Sequence, residues 1–245
     1  ALMAQALEKT YNERLFSGGV VGGHHNSRFV WLRKQYQKLS AARVSVLEIG
    51  CYDGRAIHFI PKEITRYDGF DAGFETNDGS SGQATGIHAA RKQYEGDARF
   101  HFHLSTDPAD VERLDGEFDT AVSLETFEHI PPELVDGYIL ALAKKVRGPV
   151  FISVPSEKGI PLLVKTVGAA LLGRERNLHY RKGELWNSLL GRMSKVERLE
   201  HKGFDYAVLM ENFRRHFKSV RCTGVRCCVP TSLQVTVGFV ARNDE

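Results

Sequence analysis

The stretch LETFEHIP (124–131) sets two carboxylates and an imidazole three and four residues apart. If it begins a helix, Glu125, Glu128 and His129 fall at i, i+3 and i+4 on one face. Two carboxylates and a neutral imidazole so placed can hold a hard or borderline divalent cation, Mg2+ or Mn2+. Such an ion lowers the pKa of a substrate hydroxyl and orients it. Without an ion, His129 itself is placed to act as a general base, and a Glu-His pair is also compatible with a purely structural role. A fourth ligand would come from His179 or His201, between which the sequence does not choose.

The second stretch with chemistry in it is VLEIGCYDGRA (46–56), with Glu48, Gly50 and Gly54 in the order E-x-G-x-x-x-G. Glycine there lets a ligand approach the backbone where a Cβ would obstruct it, and helix N-terminal amides can bind a phosphate, a carboxylate or a polar edge. A phosphate loop needs Gly-Lys-Ser/Thr, whereas this chain has Gly-Arg-Ala; the dinucleotide fingerprint needs a third glycine. Both phosphate readings fall. Asp71, 17 residues beyond Gly54, ends a second apolar run, where a carboxylate can accept both hydroxyls of a ribose. Asp107 follows a third run in LSTDPAD and can accept an adenine amine, although Asp before Pro also starts turns. A ligand with an adenosine group and no essential phosphate suggests S-adenosylmethionine.

These residues require elements to position them. VSVLEI (44–49), TRYDGFDA (65–72), ARFHFHL (98–104), FDTAVSL (118–124) and GPVFISVP (148–155) read as short strands separated by helical patterns. RAIHFIP (55–61) reads as a helix ending at Pro61, HAARKQYEG as another, and PPELVDGYILALAKKV as a third with proline in its first turn. The alternation predicts right-handed crossovers and a parallel sheet with helices on both faces, binding its ligand at the carboxyl ends of the strands. Upstream, residues 1–16 read as an amphipathic helix, GGVVGG (18–23) as a hinge, and SRFVWLRKQYQKL as a helix capped by Ser27 with Phe29, Leu32 and Tyr36 on one face. HFKSVRCTGV and SLQVTVGFVAR read as a closing hairpin. The polar stretch 73–86 reads as a surface insertion beside the ribose site.

VLEIGCYDG, the acid of GFDA, the Asp of LSTDP, FDTAVSLETFEHIPPE and VFISVPS resemble, in order and spacing, the core motifs of class I S-adenosylmethionine-dependent methyltransferases. The resemblance covers roughly residues 44–155, and strands over 216–242 are in keeping with it. It implies a Rossmann-like α/β fold: a seven-stranded, mostly parallel sheet with helices on both faces, an antiparallel C-terminal strand and a helical cap after the fifth strand. It also implies that Gly50, Cys51, Tyr52 and Gly54 line the methionine end of the cofactor and that Asp71 binds the ribose. Asp107 would lie by the adenine, Leu124 and Glu125 near the sulfonium, and Glu48, Asp53 and Ala72 complete the contact set. His25 or Arg28 would meet the cofactor carboxylate. Tyr52 departs from the family pattern, which has glycine there. Glu-x-x-Glu-His is similar to the pattern of ubiquinone-pathway O-methyltransferases and small-RNA 2′-O-methyltransferases. The closing segment looks like bacterial methyltransferases found with polysaccharide or secondary-metabolite genes.

Composition narrows the setting. A net charge of +3 and 26% charged residues give no reason to expect non-specific nucleic-acid binding. The distribution is uneven: residues 156–228 carry 15 Lys+Arg against 7 Asp+Glu, while residues 1–155 carry 17 against 21. That segment is read either as a solvated basic face or as an anion-attracting substrate lobe. It combines Leu162, Leu163, Val164, Leu171, Leu172, Tyr180 and Trp186 with Arg174, Arg176, Arg181 and Lys182, which suits a lipid-linked or phosphate-bearing acceptor, or peripheral contact with a membrane surface. A cap helix packed on its own domain explains the same residues. Cys51, Cys222, Cys227 and Cys228 show neither zinc-site nor disulfide spacing, the N-terminus has no signal-peptide layout, and no apolar run reaches spanning length, so a cytoplasmic location is expected. The expected organisation is a lid over 1–43, a cofactor core over 44–155, a substrate cap over 156–205, and a closing helix and strands over 206–245. The expected activity is methyl transfer to an oxygen of a small or lipid-linked acceptor. An RNA 2′-O-methyltransferase-like enzyme and a non-enzymatic binding protein of the same fold are the competing readings.

Overall fold

The computed structural model describes residues 19–73, 86–171, 180–181, 183–199, 201–226 and 229–243. Five strands form a parallel array: β1 (Arg43–Ile49), β2 (Glu63–Asp71), β3 (Phe100–Leu104), β4 (Thr120–Leu124) and β5 (Val150–Pro155). With β6 (Ser219–Cys222) and β7 (Thr236–Arg242) they make one sheet in the order β3-β2-β1-β4-β5-β7-β6. β7 runs antiparallel to both of its neighbours, β5 and β6, so the hairpin read from the sequence closes the sheet. Strand order reverses around β1, which pairs in parallel with β2 on one side and β4 on the other. That reversal opens a crevice at the carboxyl ends of β1, β2 and β4.

The central strands are buried on both faces, as expected of a parallel sheet covered by helices. One face packs Leu47, Ile49, Phe70 and Ile152 against α4 (Pro132–Lys145) and α7 (Tyr206–Arg214). The other packs Val44, Val46, Tyr67 and Phe151 against α1 (Gly19–Gln37) and α2 (Gly86–Gln93). α3 (Pro108–Glu112) lies against α4, and the cap after β5 contains α5 (Gly159–Leu171) and α6 (Glu184–Leu189). No helix among the described residues is long and apolar enough to cross a membrane.

Two local readings are corrected. The chain is helical from Gly19 without a break, so most of GGVVGG is helix rather than hinge, and Ser27 lies in mid-helix rather than at its cap. Burial of Phe29, Trp31, Leu32 and Tyr36 against the sheet outweighs the poor helix propensity of the glycines. RAIHFIP forms only a five-residue 3-10 helix, Arg55–Phe59, because the chain must straighten before Pro61. The proposed helix over 1–16 and most of the 73–86 insertion lie outside the described residues.

α1 is also pinned by a buried polar contact: the Tyr36 and Thr120 hydroxyls lie 2.8 Å apart. Tyr36→Phe leaves the Thr120 hydroxyl buried without that partner. It is expected to cost about 1–2 kcal/mol, read as a lower urea midpoint at unchanged slope.

Candidate functional site

A cavity of about 520 Å³ occupies the crevice, within the size range of small-molecule sites. Its floor comes from Glu48 and Ile49 of β1 and from the turn Gly50–Asp53; Phe70, Asp71 and Ala72 form one wall, and Leu124–Thr126 another. Arg28 and Phe29 of α1, Arg55 and Ala56, Ser105 and Thr106, and His129, Ile130, Pro131, Leu134 and Tyr138 complete the lining. Of the sequence-predicted cofactor residues, Glu48, Gly50, Cys51, Tyr52, Asp53, Asp71, Ala72, Leu124 and Glu125 line this cavity, while Gly54 and Asp107 do not.

Asp71 is oriented before any ligand arrives. One carboxylate oxygen accepts from the Tyr52 amide at 2.9 Å and the other from the Gly73 amide at 2.8 Å. Each oxygen keeps further acceptor capacity for a ligand hydroxyl. Tyr52, the residue that replaces the family glycine, keeps the glycine-like left-handed backbone, with φ of 44°. A Cβ on Gly86 would come within 2.5 Å of the Tyr52 ring, so the ring rests on the start of α2.

Gly50 lines the cavity and also has a packing reason to be glycine. Its φ is 81°, and a Cβ there would lie 2.0 Å from the Thr126 hydroxyl oxygen. The space a side chain would need there is filled by Thr126, on a neighbouring wall of the site. Asp107 takes the turn-starting role that the sequence also allowed. Its carboxylate accepts from the Ala109 amide at 2.9 Å and caps α3, and Ser105 and Thr106 line the cavity in its stead.

Glu48 is buried and accepts from the Tyr67 hydroxyl at 2.6 Å. Burial, reinforced by the charges of Asp53 and Asp71, pushes its carboxyl up to about 8 despite that hydrogen bond. The Cys51 thiol is driven well above its usual value, chiefly by burial, so it is a wall of the cavity rather than a nucleophile.

LETFEHIP is a turn, not the start of a helix. Glu125 has φ of 55°, the His129 amide donates to the Thr126 carbonyl at 2.9 Å, and α4 begins only at Pro132. Pro131 and Pro132 hold the preceding backbone out of the helical region. The turn still brings chemistry together. Glu128, His129 and His201 each offer one ligand atom, all within 4.8 Å of one another. The two imidazoles meet edge to face with centroids 4.5 Å apart. Of the two histidines considered as a further ligand, His201 lies beside Glu128 and His129, while His179 lies outside the described residues. Glu125 is not part of this group. Its carboxyl interacts instead with Thr236, Arg28 and Lys165.

Both oxygens of Glu128 are buried, and among the described residues neither has a hydrogen-bond partner on another residue. Burial, then the charge of Glu125, raises its carboxyl well above the usual range. Burial raises Glu125 as well, against the pull of Arg28 and Lys165. Two adjacent desolvated carboxylates stay ionised together only beside positive charge. Arg28 and Lys165 supply positive charge to this pair, and the Glu128–His129–His201 donor atoms lie close enough together that they could hold a metal ion.

Arg28 lies at the cavity mouth with its guanidinium over the Phe29 ring, 5.0 Å from the centroid. The side chain of His25 lies outside the described residues. Sequence reasoning missed Ser105, Thr106 and Arg55 as lining residues, and nothing in residue type or spacing marked them. Their place follows only from where β3 and the first turn end.

A family model described as a methyltransferase domain matches residues 24–192. No curated protein matches the chain. The fold is similar to that of the methyltransferase domain of bacterial CtHen1-CN, at 12% identity over 89% of this chain and 99% of that one, with a TM-score of 0.54. A S-adenosylmethionine-dependent methyltransferase from Clostridium acetobutylicum ATCC 824 is similar at 10% identity, 89% and 90% coverage and a TM-score of 0.54. The N-methyltransferase NodS from Bradyrhizobium japonicum WM9, in complex with S-adenosyl-L-homocysteine, is similar at 14% identity, 96% and 97% coverage and a TM-score of 0.51.

Proposed function

Because the chain belongs to the methyltransferase-domain family of the class I S-adenosylmethionine-dependent superfamily, we propose that it methylates an oxygen of a small or lipid-linked acceptor. The observation that carries this reading is the joining of two features in one crevice: the pre-oriented Asp71 carboxylate and the imidazole of His129 line the same cavity. Asp71 would hold the ribose hydroxyls, Glu48 the ammonium and Arg28 the carboxylate of the cofactor, which supplies a methyl group on a sulfonium. Leu124 and Glu125 would face the sulfonium. The residues' main task is then to align acceptor and methyl in line, because the sulfonium carries its own leaving group.

His129 serves the acceptor. Exposed on the turn and lining the cavity, it can take the acceptor's hydroxyl proton directly. The stranded oxygens of Glu128 favour a fuller arrangement, in which Glu128, His129 and His201 hold Mg2+ or Mn2+. A cation there would lower the pKa of the acceptor hydroxyl and orient it. The segment 156–205 would select the acceptor, and its exposed Ile160, Leu163, Val164 and Trp186 suit a hydrophobic one.

Calorimetric titration with S-adenosylhomocysteine tests the cofactor assignment and carries a pH signature. Glu48, with its carboxyl near 8 in the free protein, is protonated at pH 7. An ammonium brought beside it lowers that value, so binding expels a proton and tightens as pH rises from about 6 to 8. The binding enthalpy at pH 7 should then vary with the ionisation enthalpy of the buffer, and Glu48→Gln should remove that dependence. Absence of binding at any pH would sink the proposed function.

A further inference from the structure

We propose that Arg198, on the cap, is the positioning residue that assembles the Glu128–His129–His201 group. This inference rests on the cation-holding role proposed above. The turn that carries Glu128 and His129 closes through its own His129 amide, which leaves the carbonyls of Phe127 and Ile130 to be satisfied from outside. A single nitrogen of Arg198, Nη2, donates to both, at 3.3 Å and 3.0 Å. Its guanidinium lies over the buried Phe204 ring, 5.5 Å from the centroid, so it is held from two sides. Its charge also interacts with Glu128.

His201 follows three residues later, on a short reverse connection closed by two backbone hydrogen bonds between Leu199 and Lys202. The far side of this connection is anchored as well. Glu184 accepts from the buried Lys202 ammonium at 3.2 Å and from the Glu197 amide at 3.1 Å. Glu197, Arg198, Leu199, His201 and Lys202 are therefore held as a strap. Glu184 ties it to the cap, Arg198 ties it to the turn, and His201 is carried between the two ties. Glu128 and His201 are 73 positions apart in sequence, and the bonds of Arg198 fix the strap directly on the turn that bears Glu128. Nη2 carries one N–H for each carbonyl, and the planar guanidinium lies over Phe204 at the same time, a combination that lysine's compact ammonium does not reproduce.

The experiment is Mn2+ titration of the full chain without cofactor, followed by the paramagnetic resonance signal of free Mn2+, with S-adenosylhomocysteine affinity measured in parallel. Wild type should take up one Mn2+, and His201→Ala should abolish that uptake. Arg198→Met should weaken it by about 10–100-fold, the range for groups that orient metal ligands, with S-adenosylhomocysteine affinity unchanged. Arg198→Lys should fall between the two. No uptake by wild type removes the cation reading and this role with it. Uptake abolished by His201→Ala but unaffected by Arg198→Met overturns the Arg198 assignment alone. Loss of S-adenosylhomocysteine binding in both Arg198 variants would show a structural role and overturn it too. Should Arg198→Met not fold, Arg198→Lys carries the comparison, and wild-type Mn2+ affinity there overturns the assignment.

Discussion

Replacing His129 with alanine is expected to lower the turnover of methyl transfer by about 10²–10⁴-fold while leaving S-adenosylhomocysteine affinity within about twofold. His129 lines the cavity from the turn after β4, and its backbone bond to Thr126 survives the substitution. The proposed cofactor contacts, Asp71 and Glu48, lie on other strands. Two mechanisms for the loss separate cleanly. If His129 acts alone as a base, His201→Ala and Glu128→Gln should keep most of the activity. If the three side chains hold a cation together, each single variant should lose about as much as the triple variant, because groups acting as a unit are grossly non-additive. Turnover is read as S-adenosylhomocysteine formed with an acceptor identified by mass spectrometry of its methylated product. Loss of cofactor affinity in His129→Ala would show that the residue belongs to the cofactor side of the cavity and would refute the assignment.

The part of this site that the sequence made legible is the part set by strand ends. Glu48, Asp71 and Leu124 each stand at or next to the last residue of an apolar run, and a parallel sheet places such residues in one crevice whatever the loops do. The glycines were legible as glycines but not in purpose. Gly50 needs a left-handed φ and no side chain because Thr126 occupies the space, a contact 76 positions away that no local pattern announces. LETFEHIP is a turn where the sequence suggested the start of a helix. A helix would have aligned Glu125 with Glu128 and His129, whereas the turn directs Glu125 toward Thr236 and Lys165 and brings in His201 instead. The two prolines were the available signal, since they forbid helix just before them. Arg198 was not legible at all, being one arginine among many in a basic segment, distinguished only by the two carbonyls it finds.

Gly50→Ala is the substitution expected to damage the fold and the site most. Two costs add at one atom. The left-handed backbone, φ of 81°, disfavours any L side chain by about 1–2 kcal/mol. The new methyl would also sit 2.0 Å from the Thr126 hydroxyl oxygen, 2.5 Å from its Cγ2 and 2.7 Å from its Cβ. Relieving an overlap of that size costs roughly 1–3 kcal/mol more. The Thr126 end has little room to move, because Leu124 beside it is locked in β4 and the Glu125 amide donates to the Ser153 carbonyl at 2.8 Å. A combined loss of about 2–5 kcal/mol should lower the melting temperature by roughly 10 °C in a domain of this size. The same displacement pushes the wall bearing Glu125 and His129 away from β1, so cofactor affinity and turnover should fall together, unlike the split expected of His129→Ala. Thr126→Gly removes the whole clashing side chain and leaves only the backbone strain. The double variant should therefore recover the steric part, a coupling of about 1–3 kcal/mol between the two sites, measured by urea unfolding of both single variants and the double. Strict additivity would mean that Thr126 is not what Gly50 makes room for.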